Sequence, residues 1–373
     1  MARLLIIPRN FYLNSIKIKP KSSIRSPDFK IQPAMNPRKR LRELISGALK
    51  DKASLIKATL TTKRAVSSVR VAVIRATTHA SASPPPDHRV AAILDLGNRS
   101  VPVICACVGA ITDRLHRTRD PFVALKCLYV LHRLIVKGSL SFYPADGGHN
   151  SLNLSGFATR SGGESRELSP WVRWYAGVLE QSIMTLKILG NSSVTYTRKS
   201  INFDKITVIA KDSKLRRQNA VSEIESLVCM VEDMSRAPES LHWRKNDVVH
   251  EVMVLVSEDY RAAQFQIMLR LSELGERVGK LSYAELTELQ TCLRRLEGCK
   301  ERMIELFMRR RNDAFWEMVR RTAAEIDEVK EEWERQSLVL WNADEGKSTE
   351  STRRGGRVGD ATNQMLLLPY NSQ

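Results

Sequence analysis

Asp120-Pro121-Phe122-Val123-Ala124-Leu125-Lys126-Cys127-Leu128-Tyr129-Val130-Leu131-His132-Arg133-Leu134-Ile135-Val136-Lys137-Gly138 is the stretch that settles the class of fold. Asp120 offers a capping carboxylate. Pro121 suits a first helical turn, where its missing N–H leaves nothing unpaired, and Gly138 closes the run. Between them runs a largely apolar sequence. Lys126 and His132 read as packing and snorkelling groups rather than ligands. The flanking sequence supplies further helices.

Upstream, Val101 to Arg117 is apolar until Asp113 and predicts a second central helix. Downstream, Ser139 to Ser169 is loop-rich, and Pro170 opens a helix in which Trp171, Tyr175 and Leu179 share one face and read as core. Asn191 to Asp212 is polar and reads as a connection. Leu215 to Arg335 holds further helices: one carrying Val221, Ile224, Leu227, Val228 and Val231, one over Val248 to Leu274, and a long charged pair from Tyr283 to Gln336. No strand-like alternation stands out. The expectation is all-α, with helices stacked as a solenoid and extended by a longer C-terminal bundle.

Nearer the N-terminus, Arg38 to Leu60 is helical by spacing. Leu41, Leu44, Ile45, Ala48, Leu49 and Ile56 share one face, with Arg38, Lys39, Arg40, Arg42, Lys50, Lys52 and Lys57 around it. Such a helix either lies on an acidic membrane or is the first core helix of a domain, and the core is the preferred reading. A second helix, Arg64 to Thr78, runs towards Pro84-Pro85-Pro86, which cannot continue it. Asp87 reads as the cap of a third, His88 to Gly97. Arg75, His79, His88 and Arg89 thus gather at one helix-to-helix corner beside a helix N-terminus, which is how an anion site is built.

The composition agrees with an anionic partner. The 373 residues are 43% hydrophobic with a net charge of +18, and residues 1–64 carry 16 Lys/Arg against 3 Asp/Glu. The six cysteines form no Cys-x-x-Cys and read as buried, reduced thiols, with no metal site. No run approaches the ~20 apolar residues of a membrane span. Gly275 to Lys280 falls one residue short of a phosphate-loop spacing, and neither a His-Glu-x-x-His nor a Gly-x-Ser-x-Gly motif occurs, so a binding module is preferred over an enzyme, with no cofactor.

Several motifs carry a family resemblance. Val-Ala-Leu-Lys-Cys-Leu-Tyr-Val-Leu-His-Arg-Leu (123–134) closely resembles a core helix of ANTH domains, the membrane-binding modules of clathrin assembly proteins. Arg-Glu-Leu-Ile-Ser-Gly-Ala-Leu-Lys-Asp-Lys-Ala-Ser-Leu (42–55) resembles the opening helix of the plant members. Leu152 to Phe157 and Trp171 to Ala176 resemble the family's turn and following helix. Arg-Ala-Thr-Thr-His (75–79) is similar to its phosphoinositide-binding corner, with Pro85 and Asp87 standing where the family has lysines.

The resemblance implies a right-handed ANTH/ENTH-like solenoid. It also implies binding of phosphatidylinositol 4,5-bisphosphate on the cytoplasmic leaflet through Arg75, His79, His88 and Arg89, with Arg89 one position late. Clathrin is the implied partner, with adaptor complexes and SNAREs beside it, at coated pits and vesicles of the plasma membrane or Golgi. Leu338, Val339, Leu340 and Trp341 resemble a clathrin-binding peptide, and Asp120-Pro121-Phe122 matches an adaptor-binding tripeptide whose phenylalanine should be buried at a helix start.

The implied division is a basic extension over 1–34, an ENTH-like part over 35–190, a C-terminal helical part over 191–336 and a short disordered tail over 337–373. The extension reads as a disordered or transit-like segment, or as sequence upstream of a start at Met35. Two other functions stay open. One is an ANTH-like scaffold for SNARE or other helices without clathrin. The other is a basic all-α nucleic-acid binder, disfavoured because only 6% of residues are aromatic and the tryptophans lie in apolar helical patterns.

Overall fold

The first helix, α1 (Pro37–Thr59), already departs from the expected core packing. Its apolar stripe faces outward: Leu41, Leu44, Ile45, Leu49 and Ile56 are all exposed, with Leu49 and Ile56 at 61% each. Gly47, Asp51 and Ala58 form the buried face instead. Periodicity correctly grouped the apolar residues, but the packing surface is made of small residues that allow close approach. The chain is described here by a computed structural model over residues 37–60, 64–79, 83–97, 100–137, 152–159, 164–189, 220–239, 246–275, 277–307 and 313–351. The expected extension over 1–34, the connection 191–212 and residues 352–373 lie outside the described residues.

Among the described residues the fold is all-α. After α1 come α2 (Arg64–Ala76), α3 (Asp87–Gly97), α4 (Val101–Arg117), α5 (Pro121–Val136), a short α6 (Glu164–Glu167) and α7 (Ser169–Leu189). Then follow α8 (Ala220–Ser235), α9 (Asp247–Gly275), a 3₁₀ turn (Val278–Lys280), α10 (Tyr283–Gly298), α11 (Lys300–Phe307) and α12 (Asp313–Ser351). Each helix packs on the next one or two, the arrangement of a solenoid: α1 on α2, α2 on α3 and α4, α4 on α5, α5 on α7, α7 on α8. The later helices close around α8, and α9 reaches back to α5.

The α5 helix is a hub of the fold. Asp120 accepts from the backbone N–H groups of Phe122 (2.9 Å) and Val123 (3.2 Å), so the cap is made as read. Thirteen of its sixteen residues are buried, which leaves no face for solvent. Phe122 is half-buried and packs on the core. Trp171, Tyr175 and Leu179 are fully buried. His132 sits at the centre, with Nδ1 2.9 Å from the Tyr175 hydroxyl and Nε2 2.6 Å from Asp259 Oδ2, so one buried ring touches α5, α7 and α9.

Polar ties fasten the C-terminal helices. Trp174 Nε1 donates to the Asp233 carbonyl (2.9 Å), and Arg270 Nε donates to Glu223 Oε2 (2.6 Å) with both side chains almost enclosed. Arg295 binds Glu232 across α10 and α8. The long charged pair expected from sequence is three helices, α10 to α12. The last of them continues to Ser351, past the Gln336 boundary where the tail was placed.

The thiols of Cys107, Cys127, Cys292 and Cys299 are buried, Cys229 is half-buried and Cys105 is exposed on α4. Burial pushes Cys107 up to about 11, and Cys127 and Cys292 up to about 12. Among the described residues no helix is long and apolar enough to cross a membrane.

Candidate functional site

The end of α2 and the start of α3 are joined by one of the cations between them. Pro86 supplies the first carbonyl of α3, accepting from the N–H groups of Arg89 (2.9 Å) and Val90 (3.2 Å). The cap position is therefore Pro86, and Asp87 is the first helical residue, where its charge still favours the helix N-terminus. Arg89 Nη1 donates to the Arg75 carbonyl at 2.5 Å, stitching the end of α2 to the start of α3. The side chains of Arg75 and His88 are exposed and that of Arg89 is half-buried. Pro85 is buried and Asp87 exposed, so the proline pins the loop to the body while the aspartate lies at the rim.

His79 occupies a different layer. Its ring Nδ1 lies 2.7 Å from Asp51 Oδ1, and its backbone N–H donates to Asp51 Oδ2 at 2.8 Å. Arg114 on α4 completes the clasp, with Nη2 donating to Asp51 Oδ1 (2.9 Å) and to the Thr77 carbonyl (2.7 Å). Burial alone would raise the Asp51 carboxyl. Hydrogen bonds from the His79 ring and backbone, the charge of that ring and the Arg114 guanidinium outweigh it and hold the group below the usual carboxylate range. With Nδ1 donating to Asp51, the neutral ring offers only an acceptor at Nε2, and only the imidazolium offers a donor there.

Beneath the clasp, Lys126 of α5 is 2% exposed and donates to the Thr78 carbonyl at 3.0 Å. Burial pulls its ammonium down to about 8, against the opposing pull of the Asp120 and Asp51 carboxylates. Thr77, fully buried, donates its hydroxyl to the Val73 carbonyl at 2.7 Å. The backbone of Thr77, Thr78 and His79 is thus held from three sides, by α1, α4 and α5.

The four residues read from sequence divide accordingly. Arg75 and Arg89 come together, His88 stands exposed on the first turn of α3, and His79 lies under them against Asp51. Asp51, Arg114 and Lys126 were missed as members of the site. Asp51 did carry a signal, as an acid in the middle of a basic helix. Its partners are 28 and 63 residues away and could not be named from spacing. The second candidate, Leu338 to Trp341, lies inside α12. Leu338 is exposed, and the side chains of Val339, Leu340 and Trp341 lie outside the described residues. No group of three or more His, Cys, Asp or Glu is placed to hold a metal among the described residues.

The arrangement offers the exposed Arg75 and His88 and the half-buried Arg89 at a helix junction next to a helix with an outward apolar stripe. The family model described as the ANTH domain matches residues 68–315. The Arabidopsis thaliana protein named "Putative clathrin assembly protein At4g40080" is 36% identical over 286 residues, covering 73% of this chain and 78% of the relative. "Putative clathrin assembly protein At5g10410" of the same organism is 32% identical over 298 residues, covering 77% and 86%. "Putative clathrin assembly protein At5g65370" is 30% identical over 287 residues, covering 71% and 92%.

Proposed function

Because the chain belongs to the ANTH-domain family, we propose that it is a peripheral membrane adaptor that assembles clathrin on vesicle-forming membranes. The observation that carries the membrane part is the exposure of Leu41, Leu44, Ile45, Leu49 and Ile56 on a basic helix clasped to the cationic corner. Burying five such side chains in a lipid interface would recover ~1.5–3 kcal/mol each as an upper bound, more than any single surface charge contributes.

The corner supplies the selective part. Arg75 and Arg89, with His88 beside them, grip the phosphates of phosphatidylinositol 4,5-bisphosphate in the cytoplasmic leaflet by charge-assisted hydrogen bonds. His79 contributes mainly by fixing the backbone that presents them. Cations of α1 add about 1 kcal/mol each near an acidic surface. Clathrin recruitment, with adaptor complexes and SNAREs as further partners, places the protein at coated pits and vesicles of the plasma membrane or Golgi.

The test is co-sedimentation of the full chain with vesicles containing phosphatidylinositol 4,5-bisphosphate, against vesicles of matched surface charge made with phosphatidylserine. Selective binding that is lost when Arg75, His88 and Arg89 are changed to alanine supports the headgroup reading. Binding that follows surface charge alone, or survives the triple change, removes it.

A second reading, a scaffold for SNARE or other helical partners without clathrin, is favoured by one observation: Leu338 to Trp341 lie within a continuous helix. Capture of the clathrin terminal domain by the intact chain, lost on truncation at Gln336, would decide against it.

A further inference from the structure

We propose that Ser83 is a phosphorylation site for a proline-directed protein kinase, and that its phosphate closes the corner to anionic lipid. This rests on the headgroup reading above and adds its regulation. Three Ser-Pro pairs occur in the sequence. Ser26-Pro27 lies outside the described residues, and Ser169 is 5% exposed within α7. Ser83 is exposed, in the loop between Ala76 and Asp87. Pro84, Pro85 and Pro86 follow it outside any helix, and Pro84 itself biases Ser83 away from helix. An exposed serine directly ahead of a proline, outside any helix, is the form in which such a kinase takes its substrate.

The step is ordinary phosphoryl transfer. Ser83 Oγ bonds to the γ-phosphorus of a kinase-bound nucleoside triphosphate, the bond from that phosphorus to the β–γ bridging oxygen breaks, the nucleoside diphosphate leaves, and the hydroxyl proton passes to the kinase's base. The consequence follows from place. Ser83 is three residues from Pro86, so ~10 Å at full extension separates it from the start of α3. Arg89 is bonded to the Arg75 carbonyl, so both ends of the loop meet at the same cations. About −1.5 to −2 of charge arrives within roughly one screening length of Arg75, His88 and Arg89. The new phosphate offsets the cations that a lipid phosphate would use and repels the acidic membrane as well.

The full chain and S83A are treated with a proline-directed kinase and ATP, the sites are read by mass spectrometry, and both proteins are sedimented with the two vesicle types described above. Expected are phosphate at Ser83 of the parent and affinity for the phosphatidylinositol 4,5-bisphosphate vesicles lower on the order of tenfold or more. Phosphatase should restore binding, and kinase treatment should leave S83A binding unchanged. Absence of phosphate at Ser83 overturns the proposal, and so does a phosphorylated chain that binds as well as before. If the untreated chain shows no preference between the vesicles, the headgroup reading itself fails and the switch falls with it.

Discussion

Asp51→Ala should detach α1 from the body while leaving the solenoid folded. Asp51 accepts three short bonds, at 2.7 and 2.8 Å from His79 and 2.9 Å from Arg114. Charge-assisted bonds of this kind contribute ~1.5–3 kcal/mol each, but they are not additive, and Arg114 keeps the Thr77 carbonyl in the variant. Removing one partner of a buried pair costs ~3–5 kcal/mol. The side chains of His79 and Asp51 are 14% and 10% exposed, so the lower end, about 3 kcal/mol, is the working figure. At ~1.4 kcal/mol per decade, the opening constant of α1 rises roughly a hundredfold.

Hydrogen exchange reads this directly, because an undocked helix of this length is marginal in water. Peptides from residues 41–59 should lose protection by about that factor, while peptides from α5 keep theirs. The acid limb gives a sign to check. The folded-state pKa of Asp51 lies below its ordinary value. The clasp therefore stabilises fully above about pH 4 and fades as pH falls through the lowered value, so parent and variant should converge in acid. A change of less than about threefold in α1, or equal loss of protection in α5, would refute the reasoning.

Three further outcomes are expected. Lys126→Met should change how stability responds to alkali: with the ammonium pulled down to about 8 in the folded chain and ~10.4 when unfolded, the parent gains stability between those pH values. Parallel urea-midpoint profiles for parent and variant from pH 8 to 10 would contradict that. Ile45→Ser with Leu49→Ser should cost under ~1 kcal/mol of stability, since both side chains are exposed, yet weaken vesicle binding more than tenfold. Circular dichroism melts and co-sedimentation measure the two effects separately. Glu223→Ala strands Arg270 in the interior and should cost ~3–5 kcal/mol, with most of the loss recovered when Arg270→Met is added; chemical denaturation of the single and double variants tests it.

The elements that could be read from sequence are those whose signals are local. Asp120, Pro121 and the apolar run after them define α5 without reference to anything distant, and Trp171, Tyr175 and Leu179 define a buried face by spacing alone. At the corner, the proline run marked where α2 had to end and α3 could begin, but the bond from Arg89 to the Arg75 carbonyl could not be read from spacing. The orientation of α1 was not legible. Hydrophobic spacing says which residues share a face, not whether anything covers it. The covering surface chose Gly47, where an added Cβ would meet the His79 Cβ at 2.7 Å. Asp51, His79 and Arg114 meet only because α1, the loop and α4 are brought together by the whole stack, and no local pattern encodes that meeting.

The distribution of thiols has a practical consequence. Four of the six cysteines are buried, and three of those are held as neutral thiols with values near 11 to 12, so they resist alkylation at neutral pH. Cys105 alone is exposed, on the helix that also carries Arg114. With Cys229→Ser removing the half-buried thiol, the folded protein would carry one reactive handle on α4. A dye attached there, nine residues or about 13 Å along α4 from Arg114, reports membrane docking without a cysteine having to be introduced.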